Sequence, residues 1–248
     1  MGEMKTEILY EDDALMVIYK PAGIATQTAR TGEPDVVSEL KSALSRRTQR
    51  DKSAGPGHGM PYLGVVHRLD QPVEGLLVFA KKEQAAAGLS RQLQKQRDAR
   101  TFSKQYYAVL CGCPGEKEGR LVNYLWKDRT GSRAVIVDAP PAEKELQARQ
   151  AVLDYRIVQE YKNLALAEIC IETGRFHQIR AQMAHAGTPI LGDRKYGNRE
   201  SEEAARAFSV RYPALCACSL EFTHPVSNRK MNFRIKPRGE VFSFFSQL

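Results

Sequence analysis

No stretch of the chain approaches the roughly 18 consecutive apolar residues that a membrane span needs. Met1 to Tyr10 carries Glu3, Lys5 and Glu7 and has no apolar h-region, so it does not read as a signal peptide, and the expected location is cytoplasmic. The chain also lacks a G-x-G-x-x-G turn, a P-loop and the C-x₂₋₄-C spacing of structural zinc sites. Accordingly no metal and no small-molecule cofactor is expected. Cysteine is scarce and odd in number, at five, which argues against a disulfide framework. The pairs Cys111/Cys113 and Cys216/Cys218 lie in the apolar stretches AVLCGC and ALCACSLEF, where residues two apart share one strand face. They read as buried free thiols. There is no internal repeat, no coiled coil and no clear linker, so residues 1–248 are read as one domain.

What is present is an ordinary globular composition, 42% hydrophobic and 27% charged. Lys and Arg number 37 against 29 Asp and Glu, a net charge of +8 that favours encounter with polyanions without proving one. Ile8–Tyr10 and Ala14–Tyr19 read as a strand pair around a Glu11-Asp12-Asp13 turn. Val36–Arg47 reads as a helix. The polar, glycine-rich stretch 48–59 after it is expected to be an exposed, mobile loop, solvated or touching phosphates. Strands are expected on both sides of Gln71–Gly75, over Tyr106–Leu110, over most of Arg120–Val137 and Gln150–Glu172, and again from Leu215 to Phe245. Helices are expected over Glu83–Arg97 and Phe176–Ala186, the latter capped by Gly187. The sum is a strand-rich α+β fold.

Three places carry chemistry. In GVVHRLD, strand alternation puts Val66, Arg68 and Asp70 on one face. Asp70 then stands where a hydrophobic strand becomes a turn, as a turn starter or as a half-buried carboxylate. In the helix after Thr173-Gly174-Arg175, Phe176, Ile179, Met183 and Ala186 form an apolar stripe, with Arg180 at its edge. A guanidinium drawn partly out of water there needs an anion, structural or catalytic. In SKQYYAVL, Tyr106 and Tyr107 point to opposite faces, and one of them could stack a base rather than pack.

HRLDQPVEGLLVFAK at His67–Lys81 resembles the signature of RluA-type RNA pseudouridine synthases, roughly H-R-L-D-x-x-T-S-G before an apolar strand. TGRFHQIRAQMAHAGTPILGDRKYG, KQYYAVL, YKPAGI and LCACSLEFTHPVSNRKMNF resemble that family's other blocks, in the right order and across nearly the whole chain. The resemblance implies a mixed, mainly antiparallel sheet with flanking helices and a central RNA-binding cleft. It places the catalytic aspartate at Asp70, the active-site tyrosine at Tyr106 rather than Tyr107, and the carboxylate-pairing arginine at Arg180. Arg68 matches an arginine that in relatives helps to hold the RNA backbone and the displaced base. His67, Arg175, His177 and Gln178, within the same blocks, are the further expected substrate contacts. The chain departs from the family at Val73-Glu74, where Thr-Ser is usual, and at Cys216, where relatives often have histidine. Residues 1 to 7 leave no room for the small N-terminal RNA-binding domain of many relatives.

The implied reaction turns uridine into pseudouridine with no change in composition or oxidation state. The implied partner is structured ribosomal or transfer RNA, bound by a monomer. Two alternatives stay open: a base-releasing N-glycoside hydrolase using Asp70 and Glu74 as paired carboxylates, and a non-catalytic RNA-binding protein.

Overall fold

A computed structural model describes residues 6–28, 32–50, 61–94, 101–128, 130, 132–140 and 147–248. Strands β1 (Glu7–Glu11) and β2 (Leu15–Lys20) form the expected antiparallel hairpin. Asp12 closes it by accepting from the Ala14 and Leu15 amides at 2.8 and 2.9 Å. Helix α1 (Val36–Arg50) follows, so residues 48–50 prolong the helix instead of opening the expected loop. The rest of that loop lies outside the described residues.

The next elements are β3 (Gly64–Val65), β4 (Glu74–Ala80), helix α2 (Glu83–Gln94) and β5 (Phe102–Cys111). Then come β6 (Glu118–Lys127), β7 (Ala134–Val137), β8 (Arg149–Tyr161) and β9 (Leu164–Ile171). Helices α3 (Gln178–His185) and α4 (Arg199–Ala207), strands β10 (Leu215–Thr223) and β11 (Lys230–Arg234), and a 3₁₀ turn at Glu240–Phe244 complete the described chain. The strands make one sheet in the order β1-β2-β4-β10-β5-β9-β8-β6-β7, with β3 beside β4 and β11 beside β10. No described helix is long and apolar enough to cross a membrane.

Every strand pairing is antiparallel except that of β4 with β10, which holds two residue pairs, Glu74–Cys216 and Gly75–Ala217. This seam joins the two halves of the sheet. Gly75 has φ +131°, and a Cβ there would stand 2.5 Å from the Ala217 amide nitrogen and carbonyl oxygen. Only glycine lets the two backbones come this close.

Several expectations are corrected. GVVHRLD is a strand only over Gly64–Val65, because β10 already pairs the start of β4 and leaves β3 only Phe79 and Ala80. Between those pairings the Val78 amide would be left over, and the His67 ring accepts it at Nε2, 3.3 Å away. The 176–186 helix begins at Gln178, because His177 takes a left-handed φ of 53°, while Gly187 ends it at φ 85°. The final stretch holds a 3₁₀ turn as well as strands. Helix α4 had not been anticipated, since among its residues only Ser201 is buried and no apolar stripe announces it. Its signal was the Asn198/Ser201 capping box with Glu200 and Glu202 in the first turn. Of the thiols, Cys216 and Cys218 are buried on one face, Cys111 and Cys170 are half-buried, and Cys113 is exposed because β5 ends before it.

Candidate active site

Asp70 lies in the turn between β3 and β4, where Val73 N–H donates to its carbonyl at 3.1 Å. The preceding segment is tied to the loop after β2. The Thr26 hydroxyl donates to the Leu69 carbonyl at 2.9 Å and accepts from the Leu69 amide at 3.2 Å. Gly23 N–H and the Lys20 ammonium both donate to the Gln71 carbonyl, at 2.9 and 3.1 Å. Lys20 is fully buried and also donates to the carbonyls of Ile24 (2.7 Å) and Pro21 (3.0 Å). Burial pulls its pKa down, and the charges of Asp70 and Glu74 oppose that. The Asp70 backbone is therefore held from both sides, while its side chain stays 24% exposed.

Arg180 reaches that carboxylate from α3, its Nη1 donating to Asp70 Oδ2 at 3.0 Å. The guanidinium is itself clamped by a residue that sequence reasoning did not single out. Asp193, with a fully buried side chain, accepts from Arg180 Nε at 2.6 Å and Nη2 at 2.8 Å. It also accepts from the Lys195 and Tyr196 amides, at 3.0 and 3.3 Å. Burial works against the charge on Arg180, but Asp193 and then Asp70 more than offset it and hold its pKa above the ordinary arginine value. The bidentate pair fixes the plane of the fork, and its remaining edge points at Asp70. The available signal was the carboxylate in GDRKYG, downstream of an arginine with unmet need of an anion.

His177 stands on the same side, its Nε2 3.7 Å from Asp70 Oδ2. Tyr196 OH accepts from the Ala134 amide at 2.6 Å and lies 2.8 Å from His177 Nδ1. When the Tyr196 hydroxyl donates its proton to Nδ1, the imidazole proton sits on Nε2, toward Asp70. Burial, then the positive charges of Arg180 and Lys195, lower the His177 pKa to about 4 against the pull of Asp70, so the ring is neutral at pH 7.

Tyr106 pairs with Ile169 and Ala217 in the centre of the sheet and packs in the same core as Leu69, Ile179 and Met183. Burial, then the Asp70 charge, raise the pKa of its phenol. Tyr107 points to the other face, where its hydroxyl accepts from Arg234 Nη2 at 3.0 Å.

The expected substrate contacts divide. Arg68 is exposed, two residues before Asp70, and Arg175 is half-buried, its Nε donating to the Gln150 carbonyl at 2.9 Å. Gln178 serves the backbone in this structure. It is buried, accepts from the Thr173 hydroxyl and the Arg175 amide at 2.8 and 3.0 Å, and donates to the Val152 carbonyl at 3.0 Å. These bonds shape the turn that launches α3. His67 is buried as well: it fills the split in the sheet, edge-on to Phe102, and burial keeps it neutral. Glu74 is buried too. It accepts from Tyr19 OH at 2.5 Å and from the Arg238 and Gly239 amides at 3.2 and 3.1 Å. Its partner across the seam, Cys216, belongs to the core of the opposite face from Tyr106. Glu74 therefore secures the C-terminal segment and is not the second carboxylate that paired glycoside hydrolysis requires. A cavity of about 460 Å³ lies behind Asp193, lined in part by Arg194, Arg206 and Arg211, but Asp70 is not on its wall.

The sheet is that of pseudouridine synthases. The solved structure of human RNA pseudouridylate synthase domain containing 4 superposes with a TM-score of 0.71 at 22% identity, covering 96% of this chain and 91% of that one. A family profile described as RNA pseudouridylate synthase matches residues 14–185. The ribosomal large subunit pseudouridine synthase D of Zymomonas mobilis is 32% identical over 99% of this chain and 74% of its own length. The protein of the same name from Xanthomonas campestris is 35% identical over 91% of this chain and 64% of its own. The chain spans less than two thirds of that second relative. It belongs to the RNA pseudouridylate synthase family, isomerases that convert uridine in RNA to pseudouridine.

Proposed function

We propose that this chain isomerises a uridine of ribosomal RNA to pseudouridine, with Asp70 as the catalytic carboxylate. The observation that carries the reading is the Asp70–Arg180–Asp193 chain, in which a buried bidentate pair aims a guanidinium at a partly exposed carboxylate. In the proposed reaction Asp70 attacks C1′ of the ribose as the bond to N1 of uracil breaks, or takes a C2′ proton to give a glycal. The freed uracil turns within the site. C5 then bonds to C1′ as Asp70 is released, or as its proton is returned to C2′; a base removes the C5 proton and N1 takes one up, so the composition is unchanged. Tyr106 supplies the face on which uracil stacks, and Arg180 holds the carboxylate as its charge changes. His177 adds a neutral N–H donor beside it. A uridine within a stem must first be flipped out, and Arg68 and Arg175 are placed to grip flanking backbone. The ribosomal target is taken from the names of the relatives.

The test is Asp70→Asn on ribosomal RNA, with nucleosides read by mass spectrometry. Pseudouridine formation should fall by on the order of 10⁴-fold or more while RNA affinity persists. Retained turnover would overturn the assignment. Release of free uracil by the unaltered protein would instead favour hydrolysis.

A further inference from the structure

Lys104 lies on β5 two residues before Tyr106, on the same strand face and about 7 Å along it. The residue is only 7% exposed, its Nζ is not fully sealed from solvent, and among the described residues nothing accepts a hydrogen bond from Nζ and no carboxylate pairs with it. Lys20, equally deep, is satisfied by three carbonyls. Around the Lys104 ammonium stand the Phe102 ring, its centroid 5.9 Å away, and the buried neutral ring of His67. Gly174 is there too, and a Cβ on it would lie 3.7 Å from Nζ. The ammonium therefore sits between the segment that carries Asp70 and the turn that launches the Arg180 helix. Burial lowers its pKa to about 8, so it remains mostly charged at neutral pH.

Leaving a buried charge unpaired is costly, and such a cost marks a group that awaits a partner. Among the described residues the carboxylates of the site are already engaged, and the substrate brings an anion of its own. RNA brings one phosphate per nucleotide, and a uridine on Tyr106 has its own backbone within one nucleotide step. A compact ammonium suits a single phosphate oxygen better than it suits a planar base edge. We propose that Lys104 is a phosphate-binding residue that receives, past Gly174, the backbone phosphate adjoining the reacting uridine. This rests on the reading of Asp70 as the catalytic centre.

The experiment compares the unaltered chain, Lys104→Met and Lys104→Arg on a uridine-containing ribosomal RNA fragment. Affinity is measured across a salt series, turnover at saturating RNA, and melting without RNA. Lys104→Met should weaken binding about tenfold and lower the log–log salt slope by about one. Its turnover at saturation should stay within a few fold, and its melting temperature should rise, because an unpaired buried charge is gone. Lys104→Arg should restore most of the binding. Unchanged affinity and slope, a loss confined to turnover, or a lowered melting temperature with unchanged affinity would each overturn the proposal. If the unaltered chain modifies no RNA but Lys104→Met still lowers the slope, the catalytic reading fails and the phosphate site stands.

Discussion

Asp193 controls the site without facing the substrate. Two charges are removed from water in the Arg180–Asp193 pair, and each is tolerable only while the other is there. Converting Asp193 to asparagine leaves a buried guanidinium without its bidentate anion and frees the fork to rotate away from Asp70. The expected result is a loss of about 3–5 kcal/mol in unfolding free energy. A further loss on the order of 100-fold is expected in single-turnover pseudouridine formation. Urea titration and a quenched time course measure the two separately. An Asp193→Asn protein with normal turnover would show that Arg180 needs no anchor.

The site depends on a seam between elements. Strands β4 and β10 touch over two residue pairs and then part, and the gap is filled by His67, β3 and α2. The divergence leaves the 66–70 segment outside any ladder, free to turn Asp70 toward α3. Gly75 is the contact on which this geometry closes. Gly75→Ala adds a methyl group against the Ala217 backbone at a φ that side chains avoid, so it should destabilise the fold by at least about 2 kcal/mol. It should also open the seam, visible as faster amide exchange at Val78 and Ala217. A substitution with neither effect would mean the strands can part without cost.

Across the whole molecule, acid should be felt through buried neutral histidines. The His177 pKa is lowered to about 4 by burial first, against 6.5 in an unfolded chain. The unfolded state therefore binds a proton that the folded state refuses, and stability present above pH 6.5 is lost as pH falls toward 4. His67, wholly buried, acts in the same direction. Replacing His177 by glutamine should flatten the dependence of unfolding free energy on pH between 6 and 5 by about 1.4 kcal/mol per pH unit. Denaturant melts at the two pH values give the number. An unaltered slope would place the proton uptake elsewhere.

At this scale the division between sequence and structure becomes clear. The β1–β2 hairpin, the central strands and the start of α2 were legible because alternation, turn chemistry and helical period act over a few residues. Arg180 was legible from its place at the edge of an apolar stripe, whereas Asp70 and Tyr106 were singled out by the family resemblance of their blocks. The polar helix α4 was not legible, because its local cap stands without an apolar stripe to go with it, and the early end of β3 was not, because it depends on a distant strand. Which polar groups are spent was also beyond local pattern. Glu74 and Gln178 look as available in the sequence as Asp70 does, yet each is consumed by partners brought from elsewhere, and His67 gives one ring nitrogen to the Val78 amide. The amino-acid order by itself determined the elements and the kinds of chemical group on offer. Only the tertiary structure decided which of them face one another, because Asp70 and Arg180, 110 positions apart, meet through burial and hydrogen bonding that no local pattern encodes.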